Sequence, residues 1–115
     1  MSTLSTDVEI KLDGETFYLR STLKAAQNIS RQYGGFVGTF QALQVLSLEV
    51  AQYIVKQGIT AKNISTDDLN DKVWRAGVGN LTKPLARYVS ILQNGGRDPD
   101  LNDGDDTQDS DEGNG

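Results

Sequence analysis

The sequence predicts an α+β domain, in which an N-terminal β-hairpin packs on a mostly helical body of about four helices and a disordered acidic C-terminal tail follows. Apolar and polar residues alternate on both sides of Asp13-Gly14, a pair that favours a two-residue hairpin turn because both positions tolerate positive φ. From Leu23 to Gln93, apolar residues recur at helical spacings of three and four. Residues 97–115 hold seven Asp and one Glu against a single Arg, a composition that cannot offset its ordering entropy by burial. We therefore divide the chain into a domain, 1–96, and a tail, 97–115.

The hairpin and the first helix follow from local signals. Val8, Ile10 and Leu12 alternate with charged residues, which is typical of a half-buried strand, and the return strand is expected over Glu15–Arg20. Ser21 or Thr22 can cap a first helix, because a hydroxyl there accepts a hydrogen bond from an unpaired backbone N–H. The helix itself is predicted over residues 23–33, and its buried stripe is expected to be Leu23, Ala26, Ile29 and Tyr33.

The longest apolar-rich stretch, Phe36–Gln57, predicts one central helix. Thr39 can cap its start, and Gly58 stands where a left-handed stop favours glycine. Apolar residues lie on more than one side of this helix, so other helices or a partner chain must cover it. Glu49 and three glutamines argue against a membrane span; we expect Glu49 to face solvent, the alternative being a buried functional acid. Six residues of the stretch are candidates for partner binding or self-association, and equally for the core: Phe36, Phe40, Leu43, Val50, Tyr53 and Ile54.

Two further helices complete the predicted body. The third covers roughly Asp67–Ala76, with Ser65 or Thr66 as cap and acids in the first turn, where they suit the helix dipole. Glycines then break the chain, and the fourth helix covers about Thr82–Gln93 with Pro84 in its first turn. Trp74 is the seventh candidate for partner contact, since Trp is enriched at binding hot spots; the alternative is that it covers a small core.

Composition excludes several kinds of chemistry. The chain has no His and no Cys, which removes disulfides, zinc sites of the usual ligand set and the commonest general base. The tail lacks the ligand spacing of an EF-hand loop, and the glycines before Lys83 lack the P-loop spacing. Residues 1–96 carry a net charge of +2, from ten basic and eight acidic residues, and residues 97–115 carry −7. We expect no cofactor, metal, nucleic-acid or membrane site, and the absence of a signal-peptide pattern at the start favours the cytoplasm.

Residues 8–60 contain a hairpin, VEIKLDGETFYLR, then STLKAAQNISRQYGG, then an apolar stretch, FQALQVLSLEVAQYIVKQG. This succession resembles the tail assembly chaperones of long-tailed phages, especially the branch found in gene transfer agents and related prophages. The first helix departs from the family pattern, because Asn28 or Gln32 stands where an acid is common. The positions that match are Asp13-Gly14, Tyr18, Leu19-Arg20, Leu23–Ala26 and Gly34-Gly35.

The resemblance implies a small non-catalytic protein that binds the tape measure protein, keeps it soluble, recruits tail tube subunits and is absent from the mature virion. A longer frameshifted form exists in many such phages. The apolar central stretch independently favours a homo-oligomer or a helical client. The alternatives are a structural virion component, such as a tail-completion or head–tail connector subunit, and a small regulatory or DNA-mimicking protein that uses its acidic tail. An enzyme is the weakest of these hypotheses.

Overall fold

A computed structural model describes residues 7–99 of the chain, and residues 1–6 and 100–115 lie outside the described residues. The fold is α+β, as predicted, but residues 7–99 form five helices instead of about four. The elements are β1 (Val8–Leu12), β2 (Glu15–Leu19), α1 (Leu23–Tyr33), α2 (Phe36–Gln44), α3 (Leu48–Gly58), α4 (Thr66–Ala76) and α5 (Val78–Gln93).

The two strands form the predicted antiparallel hairpin, in a register that pairs Val8 with Leu19 and Leu12 with Glu15. Asp13 and Gly14 both have positive φ, 54° and 82°, as a two-residue hairpin turn requires. Alternate residues of β1 are buried, and they face α4 and α5. The hairpin therefore packs mainly on the C-terminal helices, whereas β2 contacts α3.

Helix α1 has the predicted bounds. Its cap is Thr22, whose hydroxyl oxygen accepts a hydrogen bond from the Ala25 N–H at 3.0 Å. The predicted buried stripe is wrong at its first position, because Leu23 is 73% exposed. As the first residue of α1, Leu23 lies at the edge of the helix layer, and Ala25 and Ile29 are the residues that α1 buries.

The prediction of a single helix over Phe36–Gln57 is wrong, because the chain forms two helices, α2 and α3, separated by Val45–Ser47. Leu46 has a φ of 57°, in the left-handed region that an α-helix cannot contain. Ser47 then caps α3 by accepting a hydrogen bond from the Val50 N–H at 3.4 Å. A straight helix of this length would extend for about 33 Å. The break allows both halves to bury side chains against α5.

Both predicted ends of that helix also need correction. Thr39 is not a cap, because α2 starts at Phe36 and the buried Thr39 hydroxyl donates to the Gly35 carbonyl at 2.9 Å. Gly58 is the last residue of α3 and does not have a positive φ. A Cβ at Gly58 would lie 2.6 Å from the Tyr88 hydroxyl oxygen, so glycine is needed there for close packing.

Helix α4 confirms the predicted third helix, with Ser65 as its cap. Helix α5 starts at Val78, four residues before the predicted start, because Gly77 alone reverses the chain between α4 and α5, with a φ of 88°. Gly79 is helical and does not break the chain. Pro84 therefore lies inside the helix and not in its first turn.

Helix α5 is the centre of the fold, a role that the sequence assigned to Phe36–Gln57. It contacts β1 and all four other helices. The Tyr88 hydroxyl donates to the Arg20 carbonyl at 2.7 Å, and the Arg20 N–H donates to the Gly58 carbonyl at 2.8 Å. These two bonds join the end of β2 to the end of α3 and to the middle of α5. The side chains that α5 buries are Leu81, Leu85, Tyr88, Val89, Ile91 and Leu92.

The start of the predicted disordered tail also needs correction. Asp98 is only 5% exposed, and its carboxylate forms an ion pair with Arg87. The Arg97 carbonyl accepts a hydrogen bond from the Asn94 side chain at 3.0 Å. Burial and pairing of Asp98 therefore hold residues 97–99 on α5, and the rest of the predicted tail lies outside the described residues.

Candidate functional site

The described part of the chain, 7–99, contains no group of three or more Asp or Glu side chains placed to hold a metal ion. Glu49 is exposed, as predicted. Within the same residues, no helix combines the length and the apolar character that crossing a lipid bilayer needs.

The seven residues proposed for partner contact fall into three groups. Leu43 and Ile54 are 4% and 0% exposed, so the alternative that they belong to the core applies to them. Trp74 is 59% exposed, and so it does not cover the core. The other four are half-buried and pack against the core: Phe36, Phe40, Val50 and Tyr53.

Tyr53 has a clear structural role. Its ring meets that of Tyr33 edge to face, with the ring centroids 5.9 Å apart. Its hydroxyl donates to the Asn28 carbonyl at 3.3 Å. Burial, and to a lesser extent the neighbouring Tyr53, raises the pKa of Tyr33. The pair therefore fixes α1 against α3, which is enough to explain both aromatic residues.

Trp74 stands on the surface of α4 beside a cation. The Arg75 guanidinium lies 5.8 Å from the centroid of the indole ring, within the range of a cation–π contact. Arg75 is also held by Asp71, at 2.8 Å. An exposed indole with a fixed guanidinium is the kind of surface feature that protein partners use.

Sequence reasoning missed most of the exposed apolar surface. Val37, near the start of the predicted central helix, is 70% exposed. Val45 and Leu46 are 73% and 53% exposed. They were predicted to lie in the middle of one continuous helix, and they lie instead at the break between α2 and α3. Tyr18 is 45% exposed on β2. The break itself has no sequence signal stronger than Ser47, whose capping ability is the one clue to it.

Two neighbouring depressions between α1, α2 and the C-terminal end of α5 both have Ala26 in their lining, and together we call them the α1–α2–α5 groove. They are cavities of about 240 and 370 Å³. The exposed Leu23 lines the first cavity, beside Leu92, and Phe36 lines the second. The polar residues that line the two cavities are Ser21, Thr22, Gln27, Ser30 and Arg31.

The charge around this groove has one sign. Helices α1, α2 and α5 contact one another, and their only charged residues are Lys24, Arg31, Lys83 and Arg87. All eight acids of residues 7–96 lie in the hairpin region, in α3 or in α4. The three helices that form the groove therefore carry basic residues only.

Comparison of the chain with models of known protein families, with curated proteins and with solved structures finds no match.

Proposed function

We propose that this chain is a non-catalytic chaperone of phage tail assembly, which binds the tape measure protein and helps to recruit tail tube subunits. In this role it acts in the host cytoplasm and is absent from the mature virion. The family is proposed from the resemblance of residues 8–60. The structural observation that supports a binding role is the α1–α2–α5 groove, with its exposed apolar side chains.

The groove suits a helical client. An amphipathic helix binds by placing its apolar face in a hydrophobic groove, and a tape measure protein is long and helical. Leu23 is already 73% exposed, so a client helix reaches it without any rearrangement of the fold. Lys24 and Arg31 lie on the same helix as Leu23 and favour a client with acids beside its apolar stripe.

Co-expression with the tape measure protein of the same phage or prophage, followed by affinity purification, tests the proposal. We expect the two proteins to purify together and the tape measure protein to stay soluble. The chain has a single Trp, and burial of this exposed side chain would shift its fluorescence to shorter wavelength if α4 also contacts the client.

A matched pair of variants locates the contact. Leu23→Ser changes a groove residue that is 73% exposed, and Val45→Ser changes an equally exposed residue outside the groove. We expect Leu23→Ser to weaken co-purification and Val45→Ser to leave it unchanged. Equal binding by both variants would place the contact elsewhere on the chain.

Analysis of purified particles by mass spectrometry separates this function from its main alternative. A chaperone is expected to be missing from the finished particle. Stoichiometric recovery of the chain from particles would contradict the proposal and would favour a structural virion component.

A further inference from the structure

The junction between α2 and α3 is strained. Leu46 has a φ of 57°, in the left-handed region that penalises a residue with a Cβ. Among residues 7–99, the other non-glycine residue with positive φ is Asp13, whose hairpin turn requires it. No Gly or Pro occurs from Thr39 to Gln57, so the sequence of the junction is compatible with a helix. A straight junction would release the strain and would pair backbone groups that the two helix ends leave unpaired.

The junction also exposes apolar side chains. Val45 and Leu46 are 73% and 53% exposed. In a continuous helix, Leu46 would follow Leu43 by three positions and precede Val50 by four, so these side chains would share one face. A straight junction would therefore carry an apolar stripe that another helix can cover.

The two parts of the chain that the junction connects are held together by contacts between residues distant in sequence. The Lys72 ammonium lies 2.7 Å from the Glu15 carboxylate. The Asn28 side chain donates to that of Gln57 at 2.9 Å. Each bond joins a residue before the junction to a residue after it, as does the bond from Tyr88 to Arg20. A second copy offers the same partners, so every such contact is kept if two molecules exchange these parts.

We propose that two copies of this chain form a domain-swapped dimer, in which α2 and α3 of each copy join through Val45–Ser47 into one continuous helix. Each lobe of the dimer combines the hairpin, α1 and α2 of one copy with α3, α4 and α5 of the other. The exchange is independent of the function proposed above.

The two continuous helices of the dimer cross at the junction. In each lobe, Gln44 of one copy and Leu48 of the other keep the positions that three connecting residues span in the single molecule, which is about 14 Å at most. Val45 and Leu46 of both copies therefore meet at this crossing and remove apolar surface from water. The partner that covers the exposed residues of the junction is the same junction in a second copy.

A carbodiimide cross-link between Glu15 and Lys72 tests the exchange in the unaltered chain. Equal amounts of unlabelled and ¹⁵N-labelled chain are unfolded together in urea, refolded at high protein concentration, and separated by size-exclusion chromatography. In the swapped dimer, every link between these two residues joins two copies. We expect about half of the linked peptides from the dimer fraction to combine an unlabelled and a labelled member, because the copies pair at random, and none from the monomer fraction to do so.

Two outcomes of this experiment would overturn the proposal. A dimer formed by contact between intact molecules would give links within single copies, with no mixed peptides. A chain that refolds only to the monomer at high concentration would show that the exchange does not occur.

Variants of the junction test its strain by the monomer–dimer equilibrium. Leu46→Gly relieves the left-handed residue in the monomer and weakens the continuous helix, and the dimer has two junctions, so its association constant should fall roughly 30-fold or more. Ser47→Ala removes a cap that the monomer alone uses and should raise the constant roughly fivefold or more. Ser65→Ala is the matched control, because Ser65 caps α4 in both forms and its loss should leave the constant unchanged. Equal shifts in Ser47→Ala and Ser65→Ala, or a rise in Leu46→Gly, would contradict the exchange.

Discussion

At the scale of single residues, Tyr88 is held by burial, by a hydrogen bond and by close packing at once. It is fully buried, its hydroxyl donates to the Arg20 carbonyl, and Gly58 leaves the space that its ring occupies. Burial, with a smaller contribution from Asp7, raises the pKa of Tyr88 far above its ordinary value of 10.0. Packing, hydrogen bonding and protonation of one side chain therefore depend on the same contact.

Gly58→Ala is expected to destabilise the fold by about 1–3 kcal/mol, the usual cost of forcing a methyl group into a packed site. The new Cβ would lie 2.6 Å from the Tyr88 hydroxyl oxygen and 3.1 Å from the Leu19 Cβ. The measurement is the free energy of unfolding in urea. Gly79→Ala is the control, because this helical glycine has open space around it and alanine there should stabilise α5 by about 0.5–1 kcal/mol. Equal effects of the two changes would contradict the packing described for Gly58.

Tyr88→Phe is expected to lower the free energy of unfolding by about 1–3 kcal/mol, because the Arg20 carbonyl loses its donor. Its pH dependence is a second check. A tyrosine whose pKa is higher in the folded state stabilises the fold fully below pH 10.0, and this contribution is lost as pH rises beyond that value, since the unfolded chain ionises first. The decline in unfolding free energy above about pH 10 should therefore be smaller in Tyr88→Phe, with Tyr33 accounting for part of what remains. An identical decline in both proteins would contradict the raised pKa.

Local signals were enough to predict residues whose partners are near in sequence. The caps Thr22 and Ser65 each accept a hydrogen bond from a residue three positions later, and the Asp13-Gly14 turn depends only on its own φ angles. Leu46 is the opposite case. Nothing in its own side chain favours the left-handed region, so its conformation is imposed by how α2 and α3 pack.

At the scale of elements, the sequence predicted helix correctly but misplaced the junctions. The stretch Phe36–Gln57 has an apolar period compatible with one helix, and the preference for two comes from contacts of both halves with α5. Similarly, Gly79 is a poor helix former, yet α5 includes it. Helix propensity is a weak preference that tertiary packing overrides at both junctions.

Leu46→Gly tests the break by the sign of its effect. In a continuous helix, glycine at this position would cost about 1 kcal/mol. At a left-handed position, glycine relieves a conformational cost of about 1–2 kcal/mol. The greater entropy of glycine in the unfolded chain offsets part of this gain. The free energy of unfolding should therefore be unchanged or slightly higher. Gln41→Gly, at an exposed position inside α2, is the control and should destabilise. A similar loss in both variants, measured by urea unfolding, would favour one continuous helix.

At the scale of the whole molecule, the charge pattern was visible in the sequence but its meaning was not. No acid occurs between Glu15 and Glu49, or between Asp71 and Asp98. Only the fold shows that these two stretches supply α1, α2 and α5, which are neighbours. The α1–α2–α5 groove was missed for the same reason, because its walls come from residues about 70 positions apart, such as Leu23 and Leu92.

Native-state hydrogen exchange should follow the distribution of buried side chains. The slowest amides are expected in the central turns of α5, which buries six side chains, and faster exchange is expected in α2, which buries only Thr39 and Leu43. The reason is that local opening of α2 exposes less apolar surface than opening of α5. Amides of α2 that exchange as slowly as those of α5 would contradict this order.

The contact of the Tyr88 hydroxyl with the Arg20 carbonyl has a consequence for biosynthesis. The hairpin is made early, but the helix that covers it is made 68 residues later. A nascent chain that has reached Gly58 has its strands and first three helices without the side chains that bury them. Contacts between residues distant in sequence form slowly, and apolar surface stays exposed until they form. The incomplete polypeptide is therefore the state most prone to aggregation. The speed of translation through codons 59–92 should influence how much soluble protein a cell accumulates.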